Sequence, residues 1–87
     1  MYDVTVLTSP ACHLCEDALQ ALGELGRDFP LHVREIDMLS VEGRSLIQRF
    51  RPPMPPAVII DGALFSFGRL PRKKLRRFLE CTLQEVV

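Results

Sequence analysis

Apolar residues recur along the chain with two different periods, and each change of period marks the boundary of a predicted element. Residues 2–7 and 31–37 alternate between apolar and polar side chains, which predicts two strands. The short apolar run 57–60 predicts a buried strand. Asp61-Gly62 is a strong hairpin signal, and it leads into a further predicted strand over residues 63–67.

Elsewhere the apolar residues recur every three or four positions, which predicts three helices with one apolar face each. The first runs from Cys12 to about Arg27, the second spans residues 41–50 after the cap Ser40, and the third has Pro71 in its first turn. The expected core positions are Leu14, Ala18, Leu22 and Leu25 in the first helix, Leu46, Ile47 and Phe50 in the second, Leu75, Phe78, Leu79, Thr82, Leu83 and Val86 in the third, and Leu31, Val33 and Ile36 in the second strand.

The order of these elements defines the expected fold. A helix that joins two strands implies parallel pairing through a right-handed crossover, and a two-residue hairpin implies antiparallel pairing. We therefore expect an α/β fold of order βαβαββα, in which a mixed four-stranded sheet carries helices on both faces. The 87 residues contain no internal repeat and no linker, so we expect one domain over residues 1–87.

Composition and charge narrow the range of partners. The chain is 47% hydrophobic and 25% charged, as in an ordinary globular domain, and its formal net charge is zero. We therefore expect no nucleic-acid or membrane partner. Separately, we expect the protein to be a monomer. No apolar run approaches 18 residues, which excludes a membrane-spanning helix. Met1 leads directly into a strand without the basic and apolar segments of a secretory signal, so we expect a cytoplasmic location.

The most informative motif is Cys12-His13-Leu14-Cys15, which lies between the first strand and the first helix. A helix N-terminus carries unpaired N–H groups and partial positive charge, which lower the pKa of a cysteine placed there. The carboxylates Glu16 and Asp17 act in the opposite direction. Cys12 at the exposed helix start is expected to attack a disulfide, and Cys15, nearly one turn later, is expected to resolve the mixed disulfide. This pattern predicts a thiol–disulfide oxidoreductase that needs no cofactor.

The cysteine pair also permits a second interpretation, a non-catalytic module that binds a metal or a protein partner. A closed zinc site needs four nitrogen or sulfur ligands, and His13, His32 and Cys81 are not in ligand spacing, so we assign no metal site. His13 either promotes the thiolate or donates a proton, or it is a solvated loop residue. Cys81 projects away from the apolar face of the last helix and is expected to be an inert surface thiol.

One block of basic residues, Arg72 to Arg77, starts the last helix. It can serve as a docking surface for an acidic partner or for nucleic acid, but its members point around the helix instead of along one stripe. A solvated helix face is therefore the favoured interpretation. Cations in a first helical turn are mildly unfavourable, which leaves room for recognition of a partner.

Two motifs at this spacing, Cys12-His13-Leu14-Cys15 and Pro56-Ala57-Val58-Ile59-Ile60-Asp61-Gly62, resemble those of the thioredoxin-fold superfamily. Within it, the chain is similar to small glutaredoxin-like and archaeal-type thioredoxin-like proteins. The resemblance implies a redox-active disulfide used in electron transport, with a disulfide-containing protein or a small thiol as substrate and a separate reductase as partner. It also implies that Pro56 is a cis-proline that faces the cysteine pair, and that the substrate backbone pairs with Pro55.

The sequence departs from both main branches of that superfamily. Pro55 has no N–H, so one of two backbone contacts to glutathione or a peptide is missing, and we expect weak glutathione binding. Residues 8–11 lack the basic residue that glutaredoxins often carry before the first cysteine, and residues 67–69 contain one glycine where they have two. Thioredoxins proper carry an aromatic residue and a buried carboxylate where this chain has Ala11 and Val6.

Overall fold

The computed structural model describes residues 1–85, with side chains described through Thr82. The elements are β1 (Tyr2–Thr8), α1 (His13–Leu25), β2 (Leu31–Asp37), α2 (Val41–Phe50), β3 (Ala57–Ile60), β4 (Ala63–Phe67) and α3 (Arg72–Glu85). Their order confirms the predicted βαβαββα arrangement of an α/β fold. The expected core positions Leu83 and Val86 lie outside the residues whose side chains are described.

The four strands form one mixed sheet in the order β2-β1-β3-β4. β1 is parallel to β2 and antiparallel to β3, and β3 is antiparallel to β4. The carboxyl ends of β1, β2 and β4 therefore lie at the same edge of the sheet as the amino end of β3. We call this edge the cysteine end, because it carries the segment between β1 and α1 that contains the cysteine pair.

The register of the two central strands brings the proline segment to the cysteine end. Leu7 of β1 lies opposite Ala57 of β3. One residue further in this antiparallel register, Pro56 lies beside Thr8, the last residue of β1. The segment that precedes β3 is therefore a neighbour of the segment that leads from β1 into α1.

Both faces of the sheet are covered, as the sequence predicted. On one face, valines of β1 and β3 pack with Ala18, Leu22 and Leu25 of α1 and with Leu75 and Leu79 of α3. On the other face, Leu7, Ile36, Ala57 and Ile59 pack against half-buried Leu46, Ile47 and Phe50 of α2. α1 and α3 thus lie side by side on one face, and α2 covers the opposite one.

The second strand departs from the expected pattern. Val33 was expected to point into the core but is 37% exposed, whereas Ile36 is 8% exposed and Leu31 is half-buried. The physical reason is the position of β2, which is an edge strand and has a neighbouring strand on one side only. The apolar alternation of β2 therefore overstates its burial, because the middle of an edge strand receives less cover than a central strand.

Polar contacts fix the helices on the sheet. The hydroxyl group of Tyr2 donates a hydrogen bond to the carbonyl oxygen of Leu79 at 2.9 Å, which ties the start of β1 to α3. Ser40 caps α2 as predicted, because its Oγ accepts a hydrogen bond from the N–H of Gly43 at 3.0 Å. Gly43 is buried against the backbone of Asp37, where a Cβ atom would overlap the carbonyl oxygen. Within residues 1–85, no helix combines the length and apolar composition needed to cross a membrane.

Candidate active site

The chain delivers the sulfur of Cys12 to the N-terminus of α1. A short turn follows Thr8, and Ala11 has a left-handed φ of +51° immediately before the cysteine. Cys12 is the N-cap of α1, and its Sγ accepts a hydrogen bond from the N–H of Cys15 at 3.1 Å. Its carbonyl oxygen accepts the N–H of Glu16 at 3.2 Å. The sulfur thus takes the place of the side-chain oxygen in a typical cap, at the positive end of the helix.

The two cysteines differ in their access to solvent. Cys12 is half-buried, whereas Cys15, in the first turn of α1, is 3% exposed. They are joined as a disulfide, and their Cα atoms lie 5.2 Å apart. An incoming thiolate or disulfide can therefore reach the sulfur of Cys12, while the sulfur of Cys15 is shielded by the protein. This is the asymmetry that a nucleophile and a resolving thiol require.

The charges of the first helical turns are arranged around Cys12. The carboxylate of Asp17 lies 2.9 Å from the guanidinium of Arg72 in α3, which offsets the negative charge expected to oppose a thiolate. Glu16 is partnered by His13, whose Nδ1 lies 3.9 Å from the carboxylate oxygen. The side chain of His13 is 98% exposed, so it lies at the mouth of the site and not within it.

The proline segment lies at the cysteine end of the sheet, where it is hydrogen-bonded to the residue that follows β4. The peptide bond between Pro55 and Pro56 is cis. Pro56 is buried, and its carbonyl oxygen accepts a hydrogen bond from the N–H of Gly68 at 2.9 Å. Pro55 is half-buried, and Met54 next to it is 43% exposed. The residues that the sequence assigned to substrate binding, Pro55 and Pro56, thus share the cysteine end of the sheet with Cys12.

The other candidate ligands stay apart from the site. Cys81 is exposed on α3, as the helical periodicity predicted, and His32 is exposed on the edge strand β2. Among the described residues, no group of three or more His, Cys, Asp or Glu side chains is arranged to hold a metal ion.

The basic residues of the block Arg72 to Arg77 are exposed, as expected of a solvated helix face. Two of them also form ion pairs that were not predicted: Arg72 bridges Asp17 and Glu24 of α1 at 2.9 and 3.2 Å, and Arg76 lies 2.8 Å from Asp28. Both arginines thus join α3 to α1. The sequence carried a signal for this, because Asp17 and Glu24 are seven residues apart and so lie on one face of α1.

Comparison with known proteins agrees with this architecture. The chain is similar to mitochondrial thioredoxin 3 of Saccharomyces cerevisiae in its oxidised form, with 18% identity, 92% of this chain and 77% of that chain covered, and a TM-score of 0.68. It is similar to a mutant thioredoxin of Halobacterium salinarum, with 17% identity and a TM-score of 0.70. The match covers 92% of this chain and 73% of that chain. It is also similar to a thioredoxin-like protein of Clostridium perfringens, with 10% identity and a TM-score of 0.75. The match covers 93% of this chain and 70% of that chain.

These identities show the fold alone, which is the thioredoxin fold. No curated protein matches the sequence. The model of the glutaredoxin-like domain family matches residues 3–80, which include the cysteine pair, the proline segment and every strand from Asp3 onward. The chain therefore belongs to the glutaredoxin-like domain family.

Proposed function

We propose that the protein is a thiol–disulfide oxidoreductase in which Cys12 is the nucleophile and Cys15 the resolving thiol. The observation that carries this proposal is the hydrogen bond from the N–H of Cys15 to the sulfur of Cys12. In the reduced protein the same donor and the helix N-terminus stabilise a thiolate on Cys12. Cys15 is buried, which disfavours a thiolate at that position.

The reaction proceeds by two exchange steps that balance in atoms and electrons. The Cys12 thiolate attacks one sulfur of a substrate disulfide, forms a mixed disulfide and releases the other sulfur as a thiolate, which takes up a proton from water. Cys15 then loses its proton and attacks the Cys12 sulfur, which forms the Cys12–Cys15 disulfide and releases the second substrate thiolate. Two electrons pass from the protein dithiol to the substrate, and an external dithiol reductant restores the protein.

The neighbouring residues support these steps in different ways. Pro56 shapes the wall of the groove beside Cys12, and Pro55 offers a carbonyl oxygen but no N–H to a substrate backbone. We propose that His13, exposed at the start of α1, relays the proton from water to the leaving thiolate. We propose a protein disulfide or a small-thiol disulfide as substrate, with glutathione bound weakly. We further propose that the protein acts as a cytoplasmic monomer with a separate reductase.

Single serine substitutions test this assignment. In a disulfide-reduction assay, Cys12→Ser should abolish turnover, and Cys15→Ser should accumulate a mixed disulfide that intact-mass measurement detects. Cys81→Ser is the matched control, because Cys81 is an exposed thiol outside the site, and it should retain the wild-type rate. Wild-type rates in both Cys12→Ser and Cys15→Ser would contradict the proposal. A metal bound by anaerobically purified protein that shows no turnover would instead favour the metal-binding module.

A further inference from the structure

We propose that the groove between α1 and the start of α3 binds an acidic segment of the protein whose disulfide reacts with Cys12. This proposal rests on the proposed function and names the substrate class. The groove is lined by four cationic side chains and one carboxylate: Arg69, Arg72, Lys73, Lys74 and Asp17. Because the formal net charge of the chain is zero, this is a local concentration of positive charge.

Most of that positive charge is not neutralised within the protein. Arg72 is held between Asp17 and Glu24 and contributes little net charge. Among the described side chains, no carboxylate lies within ion-pair distance of Arg69, Lys73 or Lys74, and all three residues are exposed. These cations stand at the start of a helix whose first turn has no acidic residue, an arrangement that disfavours the helix. An acidic ligand would remove this unfavourable feature.

The shape of the groove favours a polypeptide over a small anion. A second cavity between α1 and α3 adjoins the groove, and Lys73 lines both. Ala21 and Leu25 form the apolar floor of this second cavity, and Glu24 lies at its rim. From Asp17 to Glu24 the axis of α1 rises by about 10 Å, which corresponds to about three residues of an extended chain. A segment with acidic and apolar side chains matches this combination. The apolar floor suits a nucleic-acid backbone poorly.

One wall of the groove begins on α1 within two helical turns of Cys12. Asp17 follows Cys12 by five residues on α1, a rise of about 7.5 Å along the helix. This rise is comparable with the screening length of about 8 Å at physiological ionic strength, so the cations of the groove act on a ligand bound at the start of α1. The opposite wall of the groove includes Arg69. This residue directly follows Gly68, whose N–H donates a hydrogen bond to the carbonyl oxygen of Pro56. An acidic segment a few residues from a substrate cysteine can therefore occupy the groove while its disulfide meets Cys12.

Two synthetic peptide disulfides test the proposal. They share one sequence, but one has three carboxylate side chains near the cysteine and the other has the corresponding amides. With wild-type protein at low salt, we expect kcat/KM for the acidic peptide to exceed that for the amide peptide by about tenfold, the size expected of a few exposed ion pairs. We expect the ratio to approach one at high salt, because screening weakens exposed pairs.

A pair of double variants locates the effect. Arg69→Gln with Lys73→Gln should reduce the ratio of the two rate constants to within about twofold of one. Arg44→Gln with Arg77→Gln is the matched control, because it removes the same charge from exposed positions outside the groove and should keep the wild-type ratio. Equal rates for the two peptides in wild-type protein, or equal losses in both double variants, would overturn the proposal.

A binding measurement separates this proposal from the proposed function. In fluorescence anisotropy, an acidic peptide in which serine replaces cysteine should bind wild-type protein more tightly than the Arg69→Gln, Lys73→Gln variant. If wild-type protein reduces neither disulfide peptide but binds this serine peptide selectively, the redox function fails and the groove assignment stands. Stronger competition by a single-stranded oligonucleotide than by polyglutamate of equal charge would overturn the choice of a polypeptide. Faster reduction of glutathione disulfide than of the acidic peptide would also overturn the choice of a polypeptide, and it would favour a small anion as the ligand of the groove.

Discussion

The substitution Pro55→Val tests how this chain selects its substrate. Pro55 precedes Pro56 at the cysteine end of the sheet, and the carbonyl oxygen of Pro56 is already used by Gly68. A substrate backbone that lies beside Pro55 finds an acceptor but no donor. Valine restores the N–H, and it favours the extended backbone required before a proline. The variant should therefore offer glutathione the second backbone contact that the natural chain lacks.

The size of the effect follows from the value of one hydrogen bond. A typical hydrogen bond contributes a net free energy of about 0.5–1.5 kcal/mol. Pro55 is half-buried, so the new bond would be partly shielded from water. The equilibrium constant for the mixed disulfide between glutathione and Cys12 should then rise by about two- to twelvefold.

The assay uses the Cys15→Ser background, in which the reaction stops at the mixed disulfide. The protein is equilibrated with defined ratios of glutathione and glutathione disulfide, and intact-mass measurement gives the modified fraction. Pro53→Val is the matched control, because Pro53 lies in the same segment, is exposed and does not precede the cis bond. An unchanged equilibrium constant in Pro55→Val, or an equal rise in Pro53→Val, would refute the reasoning.

Three further substitutions test the packing in urea unfolding. Gly43→Ala should lower the free energy of unfolding by about 1–3 kcal/mol, because the new Cβ would lie 2.9 Å from backbone atoms of Asp37 and Met38. Gly23→Ala, in open space on α1, should raise it by about 0.5–1 kcal/mol through helix propensity. A stabilising Gly43→Ala would refute the first prediction, and a destabilising Gly23→Ala would refute the second. Tyr2→Phe should lower it by about 0.5–1.5 kcal/mol through loss of the buried hydrogen bond to α3, whereas an unchanged midpoint would show that this bond contributes nothing.

Local patterns were sufficient for most of the fold. Helix and strand periods gave the element order, and the hairpin signal at Asp61-Gly62 fixed the antiparallel pair β3–β4. Ser40 as a cap and Cys81 as an exposed residue followed from chemistry and periodicity within single helices. These features depend on neighbours a few residues away, so one sequence contains the required information.

Features that depend on neighbours in space were harder to predict. Val33 alternates like a buried residue, but its exposure depends on the strand order that places β2 at an edge. The helical wheel correctly placed Arg72 on an exposed face, but it could not show the ion pair with Asp17, which lies on the adjacent helix. The sequence was sufficient to place the cysteine pair at a helix start. Its redox state, its substrate and the backbone that pairs with Pro55 depend on molecules outside the chain.

The most direct test of the central claim is the pH dependence of thiol alkylation in the reduced protein. Iodoacetamide is added at a series of pH values, and peptide mass spectrometry identifies the modified residue and its rate. We predict that Cys12 reacts before Cys15, with a pKa lowered by the helix N-terminus, while Cys15 is protected by burial. A pKa for Cys12 at or above the free-cysteine value of about 8.5, or faster alkylation of Cys15, would contradict the account.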